Sequence, residues 1–153
     1  MIQRIQTVYL LIVAALTVVM LFMPLAVVQL ANDFYTLDAS GLSTMTAPSE
    51  LVVPMWALMA LASIITLIAF VAIFLYKKRI LQIRFCIYNS ILLIGFYGLF
   101  VFYVWRITGE SDFFHFSPRI ALGFPLVSLI LNCLAIRNIG ADEALVRSLE
   151  RLR

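Results

Sequence analysis

Four neutral polar residues in an otherwise apolar context are the ones whose type and position could do chemistry: Asn89 and Ser90, then Ser128 and Asn132. Amides and hydroxyls among aliphatic side chains either line a polar cleft that holds a ligand or hydrogen-bond one helix to another. The second contributes roughly 0.6–2 kcal/mol in a membrane and is the plainer expectation; the cleft is the functional one. Cys86 and Cys133 fall near the same level. The cytoplasmic half of a membrane does not favour disulfides, so they read as small packing residues and not as a redox pair.

Titratable chemistry is sparse. His115 is the single histidine, and no second His, Glu or Cys stands near it at metal-ligand spacing. Asp112 lies close to it in sequence, but one such pair in a short exposed loop is simply solvated. There is no nucleophile elbow, phosphate-cradling glycine loop or pair of carboxylates. The residues therefore point to no catalytic centre, no metal and no cofactor.

The elements that must position these residues follow from composition. At 153 residues, 64% hydrophobic and 12% charged, with a mean hydropathy of +1.07, the chain is far from the soluble norm of about 45–50% apolar and about 25% charged. A helix rising about 1.5 Å per residue needs about 20 apolar residues to cross a hydrocarbon core about 30 Å thick. Four stretches qualify. Residues 7–30 form the first, with Pro24 kinking its outer third. Residues 54–76 form the second, with Pro54 in the first turn, or with a start at Ser49 and a bend at Pro54. Residues 85–105 form the third, closing on the aromatic FYVW typical of a membrane boundary. Residues 118–136 form the fourth, opened by Ser117 as cap and Pro118 at the first helical position. The first stretch is too long for a signal-peptide core of about 7–15 residues, so it reads as an uncleaved span.

Inside their flanks the four stretches carry no Asp, Glu, Lys, Arg or His, which removes the commonest sign of a proton-coupled carrier. Small residues at Ala62, Thr66 and Ala69, and at Gly95 and Gly98, read as internal seams. The expected fold is an all-α membrane protein: one domain, a four-transmembrane-helix antiparallel bundle with both termini cytoplasmic.

Orientation follows from Lys and Arg. Arg4, Lys77, Lys78, Arg79, Arg84, Arg137, Arg147, Arg151 and Arg153 fall on one side, with Asp142, Glu143 and Glu150. Arg106 and Arg119 fall on the other, with Asp33, Asp38, Glu50, Glu110 and Asp112. The basic side reads as cytoplasmic, joined by the short hairpin KKRILQIR. In the first external loop, FYTL followed by a turn signal at Gly41 predicts a small β-hairpin. In the second, Phe113, Phe114 and Phe116 read as dipping into the interface while Glu110 and Asp112 stay wet.

The chain closes on RNIGADEALVRSLERLR, residues 137–153. Gly140 can end the fourth helix and Asp142 can cap a short amphipathic one. In that helix Leu145, Val146, Leu149 and Leu152 share one face, with Glu143, Arg147, Glu150 and Arg151 opposite. About twelve residues make a marginal helix alone in water, so it needs a surface: anionic lipid headgroups of the cytoplasmic leaflet or a protein partner.

The opening MIQRIQTVYLL and the closing DEALVRSLERLR, with four apolar stretches between them, resemble an uncharacterised family of small integral membrane proteins of Bacteroidota, domain-of-unknown-function family 4293. Asp142, Glu143, Leu145, Val146, Arg147, Ser148, Arg151 and Arg153 match its tail pattern; Glu150 stands where aspartate is commoner. The resemblance implies a bacterial inner-membrane location with periplasmic external loops, and it carries over no catalytic residues.

These readings converge on a non-enzymatic accessory subunit of a membrane assembly. Its docking surface would be cytoplasmic: Lys77, Lys78, Arg79 and Arg84 of the hairpin, with Glu143, Leu145, Val146, Arg147, Leu149, Arg151 and Arg153 of the tail. The expected partners are the lipid bilayer and a membrane protein, not nucleic acid. The alternative is a carrier or binding protein for an apolar or lipid-like molecule between spans three and four.

Overall fold

Pro24 decides how the first third of the chain folds. Proline disfavours α conformation in the residue before it and offers no N–H to continue a helix. In the computed structural model, which describes residues 3–30, 33–45, 50–109 and 114–151, helix α1 (Gln3–Phe22) stops just short of it, with the Met23 N–H donated to the Val19 carbonyl at 3.1 Å. Beyond the proline the chain runs as strand β1 (Ala26–Leu30). Its sequence AVVQL is β-branched and alternates, with Ala26 and Val28 buried and Val27 and Gln29 half-buried, the period of two that a strand needs. The single span expected over 7–30 is therefore a helix and then a strand.

Strands β2 (Asp33–Leu37) and β3 (Gly41–Thr44) form the hairpin expected from FYTL and Gly41, paired antiparallel with Leu37 opposite Leu42. It is part of something larger. Strand β4 (Leu51–Pro54) pairs with β3, and β5 (Phe114–Pro118) pairs with β1, giving an antiparallel five-stranded sheet in the order β4-β3-β2-β1-β5. Gly41 is the tightest point. Its φ is +150°, and a Cβ there would run into the Val53 carbonyl oxygen and come within 3.2 Å of Met55 N. The residue is thus required both for its backbone conformation and for the close approach of β4.

The other helix starts shift accordingly. Pro54 ends β4 and does not open a helix; α2 (Trp56–Phe74) begins two residues later, with the Met55 N–H donated to Ser40 O at 3.0 Å. Ser49, the other expected start, lies outside the described residues. Ser117 and Pro118 close strand β5, a 3-10 turn spans Ile120–Gly123, and α4 (Phe124–Arg151) begins there. Leu25 ties these junctions together: its N–H goes to Leu37 O at 2.8 Å and its carbonyl accepts the Arg119 N–H at 3.0 Å.

Between α2 and α3 (Arg79–Thr108) there is only a 3-10 turn, Leu75–Lys77, and Lys78. Most of the expected basic loop is helical. Gln82, buried within this basic stretch, donates from Nε2 to the Ala72 carbonyl at 3.1 Å and so satisfies the end of α2.

Helix neighbours run α1 to α2, α2 to α3, α3 to α4 and α4 back to α1. Leu10, Ala72, Cys86 and Ala135, one from each helix, form a buried layer near the turn end. At the other end Met20, Leu25, Val28, Leu37, Leu42, Met55, Phe96 and Phe100 join helices and sheet in one larger core. Phe116 belongs to it: it does not dip outward but packs edge-on against Phe100, ring centroids 6.3 Å apart. Phe113 lies outside the described residues, as do Glu110, Asp112 and the side chain of Phe114.

The all-α four-span bundle expected from hydropathy is thus corrected. The protein has four helices and a five-stranded sheet, and among the described residues three helices, over Trp56–Phe74, Arg79–Thr108 and Ile120–Val146, are long and apolar enough to cross a membrane. The apolar part of α1, Thr7–Phe22, is shorter. The tail is corrected too: α4 runs unbroken through Gly140 to Arg151. Glycine inside a helix costs only roughly 0.5–1 kcal/mol relative to alanine. A break would disturb the fully buried Ile139 and the half-buried Asp142 and Glu143, both of which have partners.

Candidate functional site

The inward faces of the helices are read from burial at helical spacing: Cys86, Asn89, Leu93, Phe96 and Phe100 on α3, and Ser128, Asn132, Ala135 and Ile139 on α4. Starting from the layer of Leu10, Ala72, Cys86 and Ala135, the next turn toward the sheet holds Val13, Ala14 and Ala69. On the same count it holds Asn89 and Asn132 on α3 and α4. One turn further come Thr17, Thr66 and Ser128, all buried. A polar band therefore crosses the bundle interior between two apolar cores, drawing on every helix.

Part of this band is self-satisfied. Thr17 Oγ1 donates to Ala14 O at 3.0 Å, and Thr66 Oγ1 donates to Ala62 O at 2.9 Å. Ser90 Oγ donates to Cys86 O at 2.9 Å, while Asn132 Nδ2 reaches across from α4 to Cys86 O at 3.0 Å and Ser90 Oγ at 3.2 Å. Because a carbonyl can only accept, the Asn132 amide must present nitrogen to Cys86 and oxygen away from it. Asn132 thus hydrogen-bonds α4 to α3 through Cys86 and Ser90.

The rest is not satisfied. Among the described residues Asn89 Oδ1, Ser128 Oγ and Asn132 Oδ1 are buried with no hydrogen-bond partner. Each such group costs about 1–3 kcal/mol when left unpaired in an apolar interior. Two carbonyl oxygens and a hydroxyl are served by a molecule rich in donors, such as water or the polar end of a ligand. Cys86 and Cys133 are free thiols, one buried and one exposed. His115 is exposed on β5, opposite Gln29. No group of three or more His, Cys, Asp or Glu is placed to hold a metal among the described residues.

Most of the described basic side chains lie at the end away from the sheet, with Arg106 and Arg119 at the other. At the turn end Lys78, Arg84 and Arg137 are exposed and Arg79 is half-buried. The last turns of α4 carry the half-buried Glu143 and the exposed Leu145 and Val146, 57% and 38% exposed. The side chains of Lys77, Arg147, Leu149 and Arg151, and the whole of Arg153, lie outside the described residues.

A cavity of about 310 Å³ opens at the sheet end, lined by Val53, Pro54, Trp56, Tyr103, Arg106 and Ile107. Sequence reasoning missed it because its walls come from β4, α2 and α3 and no motif spans them. It also missed Tyr97, whose hydroxyl donates to Leu122 O at 2.7 Å and pins the turn before α4 to α3. An isolated tyrosine in an aromatic run gives no local signal of such a bond.

No curated protein sequence matches the chain. The family described as Domain of unknown function (DUF4293) matches residues 2–152, nearly the whole length, and the chain belongs to that family.

Proposed function

We propose that this chain is a non-enzymatic integral protein of the bacterial inner membrane, an accessory subunit that docks onto a membrane assembly through its basic end. The three helices of membrane length cross the bilayer with α1 packed beside α2 and α4, the sheet lies on the periplasmic side, and both termini lie in the cytoplasm. The observation that carries the docking role is the unbroken α4. Its 28 residues give about 42 Å at about 1.5 Å per residue, against a hydrocarbon core of about 30 Å. The excess carries Leu145 and Val146 into the aqueous phase beside charged residues, the composition of a helix face that meets a protein partner. Anionic headgroups attract the lysines and arginines around it.

Extraction of the full chain in mild detergent and then mass spectrometry test this. A stoichiometric membrane-protein partner is expected with the full chain and is expected to be lost when the chain is cut after Gly140. Recovery of the chain alone, unchanged by the truncation, contradicts the proposal.

The unpartnered oxygens of Asn89, Ser128 and Asn132 favour a second reading, in which α3 and α4 hold the polar end of a lipid-like molecule. Replacing Asn89 and Asn132 together by Leu then removes a copurifying small molecule; if extraction yields the same small molecules from both proteins, that reading fails.

A further inference from the structure

We infer that the cavity between β4, the start of α2 and the end of α3 binds the phosphate group of a phospholipid in the leaflet on the sheet side. Three independent features meet there. First, the cavity has room: about 310 Å³, at the lower end of the roughly 300–1,000 Å³ of small-molecule sites. Second, among the described residues Arg106 is the one charged residue in its lining; a guanidinium fork matches two phosphate oxygens at once. Third, α2 opens onto the same cavity at Trp56 with no side chain capping it; the Leu58 N–H is donated to Met55 O at 2.9 Å, which leaves the N–H groups of Trp56 and Ala57 and the positive end of the dipole for an anion.

The surroundings select a lipid over a free anion. Met59, one turn along α2 from Trp56, and Phe102, one turn back along α3 from Arg106, are both exposed and apolar, a surface for acyl chains. The indoles of Trp56 and Trp105 are 75% and 73% exposed, and such rings settle at headgroup level. An alternative role for Arg106 is to offset the dipole of its own helix, α3. That accounts for the charge but for neither the cavity nor the uncapped start of α2. The inference rests on the membrane placement proposed above. Failure of that placement would show separately, as a chain that stays in solution without detergent.

Trp105→Phe leaves Trp56 as the one fluorophore of its kind, since the chain has two tryptophans. In detergent micelles its emission is titrated with short-chain phosphatidylglycerol, short-chain diacylglycerol and inorganic phosphate. The expected result is a saturable change with phosphatidylglycerol alone. Adding Arg106→Gln weakens it at least about tenfold, the loss of a charge-assisted bond, and Arg106→Lys, which keeps the charge but not the fork, restores only part of it. Arg106 is exposed, and far-ultraviolet circular dichroism confirms that each variant is folded. Unchanged binding in Arg106→Gln, or equal binding of diacylglycerol, overturns the site. Saturation by inorganic phosphate alone overturns the assignment to a lipid.

Discussion

Asp38 sits half-buried in the turn between β2 and β3, and burial raises its carboxyl above the ordinary value of 3.8. A raised carboxyl pKa means the fold prefers the protonated form. The ionised group therefore costs stability above the folded pKa, and the cost is relieved as pH falls through that value toward 3.8. Asp38→Asn is expected to raise the Tm at neutral pH in detergent, with the gain vanishing in strong acid; a gain of the same size at both pH values contradicts this. At the residue scale the sequence was informative where a polar atom stood out against apolar neighbours. Asn89, Ser90, Ser128 and Asn132 were legible for that reason, and Asn132 does bridge to Ser90 and Cys86. Gln82 was not, because it lies between charged residues that read as a loop, although its side chain satisfies the carbonyl of Ala72 in the preceding helix. Arg106 read as an ordinary flank charge; its significance depends on Pro54 and Trp56 approaching it in space.

At the scale of elements, hydropathy averages over conformation and so merged a helix with a strand. Residues 7–30 are apolar throughout, yet only Pro24 and the alternating AVVQL after it separate α1 from β1. The partner strand FHFSP was hidden in a loop too short to look like a sheet, because its pairing partner β1 lies more than eighty residues earlier. The hairpin at Gly41 was legible, since a turn signal between β-prone runs is local. Its glycine provides the sharpest test of the sheet. Gly41→Ala places a Cβ against the Val53 carbonyl at a φ of +150°, and a loss of about 1–3 kcal/mol is expected from the strained backbone, measured by denaturant unfolding in detergent. A neutral effect would mean that β3 and β4 do not approach as described. The separate tail helix failed for a different reason: Gly140 and Asp142 form a plausible stop and restart, but the packing of Ile139 carries the helix through them.

The whole molecule is apolar on its outside as well as within. Exposed Val8, Leu11, Leu67, Phe70, Ile91, Ile94, Val101 and Ile130 cover every helix, a surface far beyond what a soluble monomer presents. The interior, by contrast, carries a polar band with three unpartnered oxygens. The lipid surround proposed above accounts for the first, and the Asn132 bridge to Cys86 and Ser90 accounts for part of the second. The same membrane placement also accounts for the separation of charge, with most of the described basic residues at the turn end and the sheet at the other. Site-directed labelling tests this placement most directly. With Cys86 and Cys133 replaced by Ala, single cysteines are placed at Ser40, exposed in the β2–β3 turn, and at Ser148, exposed near the end of α4. A membrane-impermeant maleimide applied to intact spheroplasts is expected to label Ser40→Cys at once and Ser148→Cys only after permeabilisation. Labelling of both without permeabilisation, or of Ser148→Cys alone, contradicts the membrane placement.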